Sequence, residues 1–174
     1  MGKILLPNTY VQDIEYPLIF LAGPIRGAPD WHSDAIKFLF SQKGDLFVAS
    51  PRRVIASSLS GHVAEGNNSY FSRQRAWERH YISAASRNGV ILFWLPREAE
   101  HKCRKPYASM TRVELGQVST HYKFDNSVRF VIGTEGEFQD LDAIGYDLSL
   151  DAPGKKVKVQ TLEETCLDAL KLLN

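Results

Sequence analysis

The sequence has few of the features that mark disulfide-rich, nucleic-acid-binding or membrane proteins. Its two cysteines, Cys103 and Cys166, show neither CxxC spacing nor a paired histidine pattern, which disfavours a disulfide framework and a zinc site. A reducing cytoplasm is therefore the expected compartment. The net charge is +1 and no long basic run occurs, so we expect no nucleic acid polymer as a partner. No apolar run approaches the length of a membrane span, and no membrane partner is expected.

Glycine-rich phosphate motifs are also missing. The sequence contains neither a GxGxxG nor a Walker A motif, so dinucleotide and triphosphate sites lose their best support. Apolar residues make up 44% of the chain and charged residues 24%, which is ordinary for a globular domain and argues against disorder and coiled coils. We therefore expect one domain over residues 1–174, built on a single core.

Short apolar runs alternate with amphipathic stretches along the chain. The apolar runs are residues 18–22, 46–49, 90–95 and 128–133, with a candidate edge strand at 157–159. The helical stretches are residues 31–43, 74–87 and 109–122, with a final helix that begins after Thr161. Asp30 is a good N-cap for the first helix and Gly44 a good terminator, while Thr161 and Glu164 form a capping-box pattern.

This alternation predicts an α/β fold. Strands of this kind, joined by right-handed crossovers, form an open doubly wound parallel sheet with helices on both faces. In a flavodoxin-like arrangement the strand order, numbered along the chain, is 2-1-3-4-5. Ligands bind such sheets beyond the carboxyl ends of the strands where the order reverses, here between the strands at 18–22 and 90–95.

The segment Gly23-Pro24-Ile25-Arg26-Gly27 follows the first of these strands. Glycines allow a ligand to approach the backbone, and the arginine can pair with an anion or a hydroxyl group, so these residues are candidates for substrate binding. A turn from strand to helix that requires glycine for its geometry explains the same residues equally well.

Glu114 is the leading candidate for a nucleophile. It lies near the start of the helix after the central strand, where the helix dipole would hold a carboxylate ionised. Thr111-x-x-Glu114 is also a capping-box pattern, which explains Glu114 without any catalysis. Gly116 lies inside the same helix, where glycine costs about 1 kcal/mol relative to alanine. We therefore expect a sugar or a neighbouring strand to approach the chain closely at Gly116.

The predicted helix at 74–87 carries a second group of candidates. Glu78 and His80 are candidate proton donors, although both fit a solvated surface equally well. Trp77 and Tyr81, one helical turn apart, either stack on a base or belong to the core, and the core is the commoner use of such a pair. Trp94, at the end of the central strand, is a candidate for the wall of an aromatic pocket.

The segment at 51–72 is polar and rich in serine, glycine and asparagine. A structureless loop of this length inside a compact domain is usually functional or mobile, so a substrate lid is the favoured interpretation. A disordered surface excursion is the alternative.

Four segments together resemble, in order and spacing, the nucleoside 2-deoxyribosyltransferase family. They are Ile19-Phe-Leu-Ala-Gly-Pro24, Gln74-x-x-Trp77-Glu78, Ile91-Leu-Phe-Trp94-Leu-Pro96 and Thr111-x-x-Glu114-Leu-Gly116. The resemblance covers roughly residues 18–133. The ordered set is specific, whereas each segment alone is not.

The resemblance implies a flavodoxin-like fold, a homo-oligomer whose neighbouring subunits complete each site, and neither a cofactor nor a metal. It also implies that Glu114 attacks C1′ of a 2′-deoxynucleoside and forms a glycosyl-enzyme ester. The freed base then leaves and another purine or pyrimidine base enters. This is the chemistry of a retaining glycosidase, with a carboxylate nucleophile and an acid that protonates the leaving group.

The leaving-group acid is where this chain departs from the family. Members of the family carry an aspartate on the helix before the central strand, where this chain has Glu78, His80 and Tyr81. Glu78 is preferred over His80 because a carboxylic acid matches the family chemistry. Residues 23–27 also resemble the 2′-deoxynucleoside 5′-monophosphate N-hydrolases, in which this loop meets the sugar-phosphate end. Hydrolysis of a deoxynucleotide, and a non-catalytic nucleotide-binding module, are therefore the alternative functions.

Overall fold

Six parallel strands form one open sheet in the computed structural model, which describes residues 2–7, 9–14, 17–66, 73–101 and 104–173. The strands are β1 (Lys3–Leu5), β2 (Leu18–Ala22), β3 (Phe47–Ala49), β4 (Gly89–Leu95), β5 (Phe130–Thr134) and β6 (Lys158–Val159). Their order across the sheet is β1-β3-β2-β4-β5-β6. With β1 set aside, the five predicted strands follow the order 2-1-3-4-5, so the predicted flavodoxin-like fold is confirmed.

In the described part of the chain, five α-helices cover the two faces of the sheet. They are α1 (Trp31–Gln42), α2 (Gln74–Asn88), α3 (Ser109–Phe124), α4 (Leu141–Asp151) and α5 (Leu162–Lys171). Helices α2, α3 and α4 pack on one face, and α1 and α5 pack on the other. The predicted caps of α1 and α5 are confirmed: Asp30 accepts a hydrogen bond from the amide of Ser33, and Thr161 and Glu164 form a capping box.

Strand β2 shows why the central strands are apolar throughout. Its side chains alternate between the two helical layers, with Phe20 on the α2 side and Ile19 and Leu21 on the α1 side. All five of its residues are buried because the sheet is covered on both faces. This strand pairs with β4 along its whole length, from Leu18 opposite Gly89 to Ala22 opposite Phe93. The strand order therefore reverses between β2 and β4, as predicted.

Two elements have no counterpart among the predicted ones. Strand β1 has only three residues, too few to show a periodicity, and it forms by pairing with the edge of β3. Helix α4 carries Leu141, Ile144 and Leu148 at helical spacing, and its N-cap residue, Asp140, has φ 60° and makes no side-chain cap. Aspartate is a common N-cap residue, so the sequence does carry a local signal for α4.

Part of the predicted loop at 51–72 is regular. Residues Ser57–His62 form a 3₁₀ helix, and Leu59 and Ala64 are buried. Leu59 and Ala64 therefore anchor this segment to the domain, although most of residues 52–66 are exposed or half-buried. Residues 67–72 lie outside the described residues, as does Cys103, and the role of the loop as a lid stays a prediction. None of the helices in the described part of the chain is long and apolar enough to cross a membrane.

Candidate active site

A cavity of about 390 Å³ opens at the carboxyl ends of β2 and β4, where the strand order reverses. The turn after β2, the loop after β4 and the first turns of α2 and α3 form its walls. The lining residues are Gly23, Pro24, Ile25, Arg26, Pro51, Gln74, Arg75, Glu78, Glu98, Lys105, Pro106, Tyr107, Ala108, Ser109, Met110, Thr111 and Glu114. The cavity thus combines several ionisable side chains with an apolar wall.

Two buried carboxyl groups face this cavity from different helices. Glu78 lies in the second turn of α2 and is 8% exposed, and Glu114 lies in the second turn of α3 and is 7% exposed. Arg75 joins them: its Nη1 donates to Oε2 of Glu78 at 2.7 Å and to Oε1 of Glu114 at 2.5 Å. The fold therefore brings together two acids that lie far apart in the sequence.

Glu78 is held on its other oxygen as well. Nε2 of Gln74 donates to Oε1 of Glu78 at 2.9 Å and to the carbonyl oxygen of Pro51 at 3.0 Å. Oε1 of Gln74 accepts from Nε of Arg53 at 3.0 Å. These bonds tie the segment after β3 to the start of α2 and fix the orientation of the Glu78 carboxyl group.

Glu114 does not cap its helix. Helix α3 begins at Ser109, its N-cap is Ala108 and no side chain caps it, so Thr111 lies inside the helix. The capping-box interpretation of Glu114 is therefore wrong. The expected stabilisation of its charge by the helix dipole is also wrong, because that effect fades beyond the first turn. Burial raises the pKa of Glu114 to about 7, against the lowering effect of the hydrogen bond from Arg75, and the charge of Glu78 adds to the increase.

The glycines of the turn after β2 are required by the backbone. A Cβ on Gly23 would lie 2.4 Å from the carbonyl oxygen of Trp94 and 2.6 Å from the indole ring of Trp31. Gly27 has φ +78°, and a Cβ there would lie 2.7 Å from the carbonyl oxygen of Glu100. Of the two interpretations of this segment, turn geometry accounts for both glycines.

The wall opposite this turn is formed by residues that precede α3. The hydroxyl group of Tyr107 lies 3.0 Å from the carbonyl oxygen of Pro96 and 3.2 Å from that of Arg97, which anchors the ring beside the end of β4. Burial, together with the charges of Glu98 and Glu135, raises the pKa of Tyr107. The side chain of Tyr107 is therefore uncharged and forms a fixed part of the cavity wall.

Comparison with models of protein families and with curated proteins gives no match. The site is therefore interpreted from its own geometry and from the sequence resemblance.

The structure gathers only some of the predicted site residues. Glu78 and Glu114 line the cavity together with the four predicted binding residues, Gly23, Pro24, Ile25 and Arg26. Trp94 does not line this cavity, because its side chain points to the α1 and α5 face and borders a separate cavity with Trp31.

Trp77 and Tyr81 belong to the core. Both are fully buried, and both hydrogen-bond the carbonyl oxygen of Thr9, from Nε1 of Trp77 at 2.9 Å and from the hydroxyl group of Tyr81 at 3.1 Å. The hydroxyl group of Tyr81 also accepts from the amide of Val11 at 3.1 Å. The two aromatic residues thus pin the N-terminal segment to α2 and do not form a platform for a base.

His80 also lies away from the cavity. Its ring packs edge-on against Tyr10, with ring centroids 5.1 Å apart, and against Tyr81. Burial, with a smaller contribution from Arg87, lowers the pKa of His80. Of the two predicted proton donors, only Glu78 faces the cavity, because α2 presents Glu78 and His80 on different faces.

Sequence reasoning missed Arg75, Gln74 and Tyr107. Arg75 and Gln74 stand beside Glu78 in the sequence, but only the packing of α2 against α3 gives Arg75 a second carboxylate. Gly116 was expected to meet a close neighbour, yet a Cβ on it would find only open space in this chain. Among the described residues, no group of three His, Cys, Asp or Glu side chains is placed to hold a metal ion.

The raised pKa of Glu114 predicts a pH-dependent effect on stability. A carboxyl group whose pKa is about 7 in the folded protein and about 4.5 in the unfolded chain binds its proton more tightly when folded, so stability falls as the pH rises through this interval. Above pH 7 the full penalty, roughly 3 kcal/mol, is present. Glu114→Gln removes this penalty. The change in the free energy of unfolding that the substitution causes should therefore be more favourable at pH 8 than at pH 5.

Urea unfolding of the variant and the wild type at the two pH values measures this difference. Glu137→Gln is the control, because Glu137 is exposed and pairs only with the exposed Arg97 among the described residues. An effect of Glu114→Gln that is the same at pH 5 and pH 8 would contradict the raised pKa.

Proposed function

We propose that this protein cleaves and re-forms the N-glycosidic bond of 2′-deoxynucleosides, with Glu114 as the nucleophile and Glu78 as the acid. The observation that carries the proposal is the pair of buried carboxyl groups that contact Arg75 in the cavity at the carboxyl ends of β2 and β4. The sequence resemblance supplies the substrate class, and the geometry supplies a mechanism that suits it.

The spacing of the carboxyl groups favours a covalent intermediate. Because both oxygens contact the same Nη1 of Arg75, they lie within about 5 Å of each other, as in retaining glycosidases, where the separation is about 5–5.5 Å. Inverting enzymes need roughly 6.5–9.5 Å to place a water between the two groups. Glu114 can therefore attack C1′ directly while Glu78 protonates the leaving nitrogen of the base.

Above neutral pH, Glu114 is in the ionised form that a nucleophile requires. With a pKa of about 7, the carboxyl group is largely ionised at pH 8 and weakly solvated, because it is buried. A carboxylate with little solvent to displace is a more reactive nucleophile than one in water. The proposed reaction uses only these side chains and the two substrates, and it consumes no cofactor.

The cavity matches a nucleoside in size and character. Its volume of about 390 Å³ lies in the range of small-molecule sites, roughly 300–1,000 Å³. Pro24, Ile25, Pro106 and Met110 provide apolar surface for a base or a sugar ring. Thr111 lies on the same face of α3 as Glu114, one turn earlier, where its hydroxyl group can bond a sugar hydroxyl.

Arg26 favours a second candidate, hydrolysis of a 2′-deoxynucleoside 5′-monophosphate. Its exposed side chain lies at the rim of the cavity, and a guanidinium group binds a phosphate through two parallel hydrogen bonds. In that reaction water takes the place of the acceptor base.

We also propose a homo-oligomer in a reducing cytoplasm. Met110 and Val113 on α3 and Tyr146 and Leu150 on α4 are exposed apolar side chains, which a neighbouring subunit would cover. The open space at Gly116 fits a close approach by such a subunit. The buried free thiol of Cys166 fits the compartment. Sedimentation equilibrium at several protein concentrations measures the assembly.

A two-base assay tests the proposal. The protein is incubated with a 2′-deoxynucleoside, with and without a second, isotopically labelled base, and the products are separated by chromatography. We expect labelled nucleoside with the second base present and little free sugar in its absence. Release of free base without an acceptor, faster from the 5′-monophosphate, would favour the hydrolase. If folded protein forms neither labelled nucleoside nor free base, the remaining interpretation is a non-catalytic nucleotide-binding module.

A further inference from the structure

Arg75 is the residue of the site that neither the resemblance nor the sequence patterns assign. It is the second residue of α2, and its side chain is 36% exposed, so it reaches the two buried carboxyl groups from the cavity side. A single nitrogen, Nη1, serves both Glu78 and Glu114. One positive charge therefore faces two groups that can each carry a negative charge.

Burial limits how much charge this cluster can hold. Glu78 and Glu114 are both less than 10% exposed, and a net charge in such surroundings is expensive. With both groups ionised, the cluster of Arg75 and the two carboxylates has a net charge of −1. With Glu114 protonated, the cluster is neutral. Burial, aided by the charge of Glu78, accordingly raises the pKa of Glu114 to about 7.

The proposed reaction keeps this charge constant. An oxygen of Glu114 bonds to C1′ while the C1′–N bond breaks, its electron pair goes to the base, and the base nitrogen takes the proton of Glu78. Glu114 loses its negative charge to the ester as Glu78 gains one, so Arg75 remains balanced by one carboxylate. In the second half, Glu78 takes a proton from the incoming base as its nitrogen attacks C1′, and the Glu114 carboxylate is released.

We infer that Arg75 is a positioning residue that holds Glu78 and Glu114 together and faces one carboxylate through both halves of the transfer. This inference rests on the proposed function for its catalytic part. Its static part, the contact of one guanidinium nitrogen with both carboxyl groups, follows from the structure alone. In the proposed reaction, Glu114 is ionised when it attacks C1′ and Glu78 holds the proton that the leaving base takes.

The other charged groups around the pair lie farther out in the network. Arg26, Glu98 and Lys105 line the cavity from the loops after β2 and β4, and Arg53 reaches Glu78 only through Gln74. Arg75 alone among the described basic residues forms an ion pair with either carboxyl group. The removal of Arg75 should therefore change the titration of Glu78 and Glu114 more than the removal of any of the outer charged residues.

The test compares Arg75→Met with Arg75→Lys, and with Arg79→Met as a control on an exposed position of the same helix. Infrared difference spectroscopy follows the carbonyl band of the protonated carboxyl group as the pH rises. In Arg75→Met we expect the midpoint of this titration to rise by about one pH unit or more, because a neighbouring positive charge has been lost. Arg75→Lys and Arg79→Met should stay close to the wild type.

The pH profile of kcat/KM gives the second readout. Both limbs should move to higher pH in Arg75→Met, which lowers the rate at pH 7 by roughly 10- to 100-fold. If Arg75→Met does not fold, Arg75→Gln replaces it. An unshifted infrared midpoint would overturn the inference while leaving any measured exchange activity intact. A shifted midpoint in a protein that exchanges no base would uphold the control of the carboxyl pair by Arg75 and overturn the proposed function.

Discussion

Replacement of Glu114 by glutamine is expected to lower kcat for base exchange by about 10⁴-fold or more while the protein stays folded. Glutamine has nearly the same shape, and its side-chain oxygen can still accept the hydrogen bond from Arg75. An amide oxygen, however, is a poor nucleophile and does not form the ester with C1′. The rate of transfer at saturating concentrations of both substrates measures the loss.

Mass spectrometry of the intact protein provides a direct check on the same variant. Wild-type protein quenched during turnover should carry the added mass of one deoxyribosyl group, and Glu114→Gln should not. Glu137→Gln is the matched control and should keep both the rate and the adduct, because Glu137 lies on the surface. A Glu114→Gln variant that retained more than about a tenth of the wild-type rate would exclude Glu114 as the nucleophile.

Replacement of Glu78 by glutamine should produce a loss that depends on the leaving group. A general acid contributes roughly 10²–10⁴-fold, and we expect this loss for ordinary purine and pyrimidine deoxynucleosides. A 7-methylpurine deoxynucleoside already carries a positive charge on its base, so its departure needs no proton from Glu78. The loss with that substrate should be much smaller.

The comparison of the two substrates is the measurement. His80→Gln serves as the control, since His80 packs against Tyr10 away from the cavity and should leave the ratio of the two rates unchanged. Equal losses of Glu78→Gln with both substrates would contradict the role of acid. They would leave Glu78 as a partner of Arg75 and Gln74 with a structural function only.

Much of the fold was predictable because its signals are local. The run at 18–22 is continuously apolar because β2 is covered on both faces, and Asp30 and Thr161 cap their helices as the sequence indicates. Strand β1 is too short to carry such a signal, and it is held by pairing with β3 and by a bridge between Ile4 and Val63. Helix α4 has Asp140 at its N-cap but begins without a side-chain cap bond.

The site was predictable only in part, because its decisive contact is not local. The resemblance singles out Glu114 and Glu78, but no pattern in the sequence shows that Arg75 reaches both. The aromatic candidates failed for the opposite reason. Trp77 and Tyr81 look the same in a helical pattern whether they face a ligand or the core, and packing decides between the two.

The two hydrogen bonds that reach Thr9 from Trp77 and Tyr81 also matter for how the protein is engineered. Through these bonds the segment around Thr9 stabilises the position of α2, the helix that carries Glu78 and Arg75, although Thr9 does not line the cavity. A deletion or a bulky fusion near Thr9 would therefore disturb the candidate site without changing any residue that lines it. The C-terminal end is the safer place for an affinity tag, because α5 packs on the opposite face of the sheet.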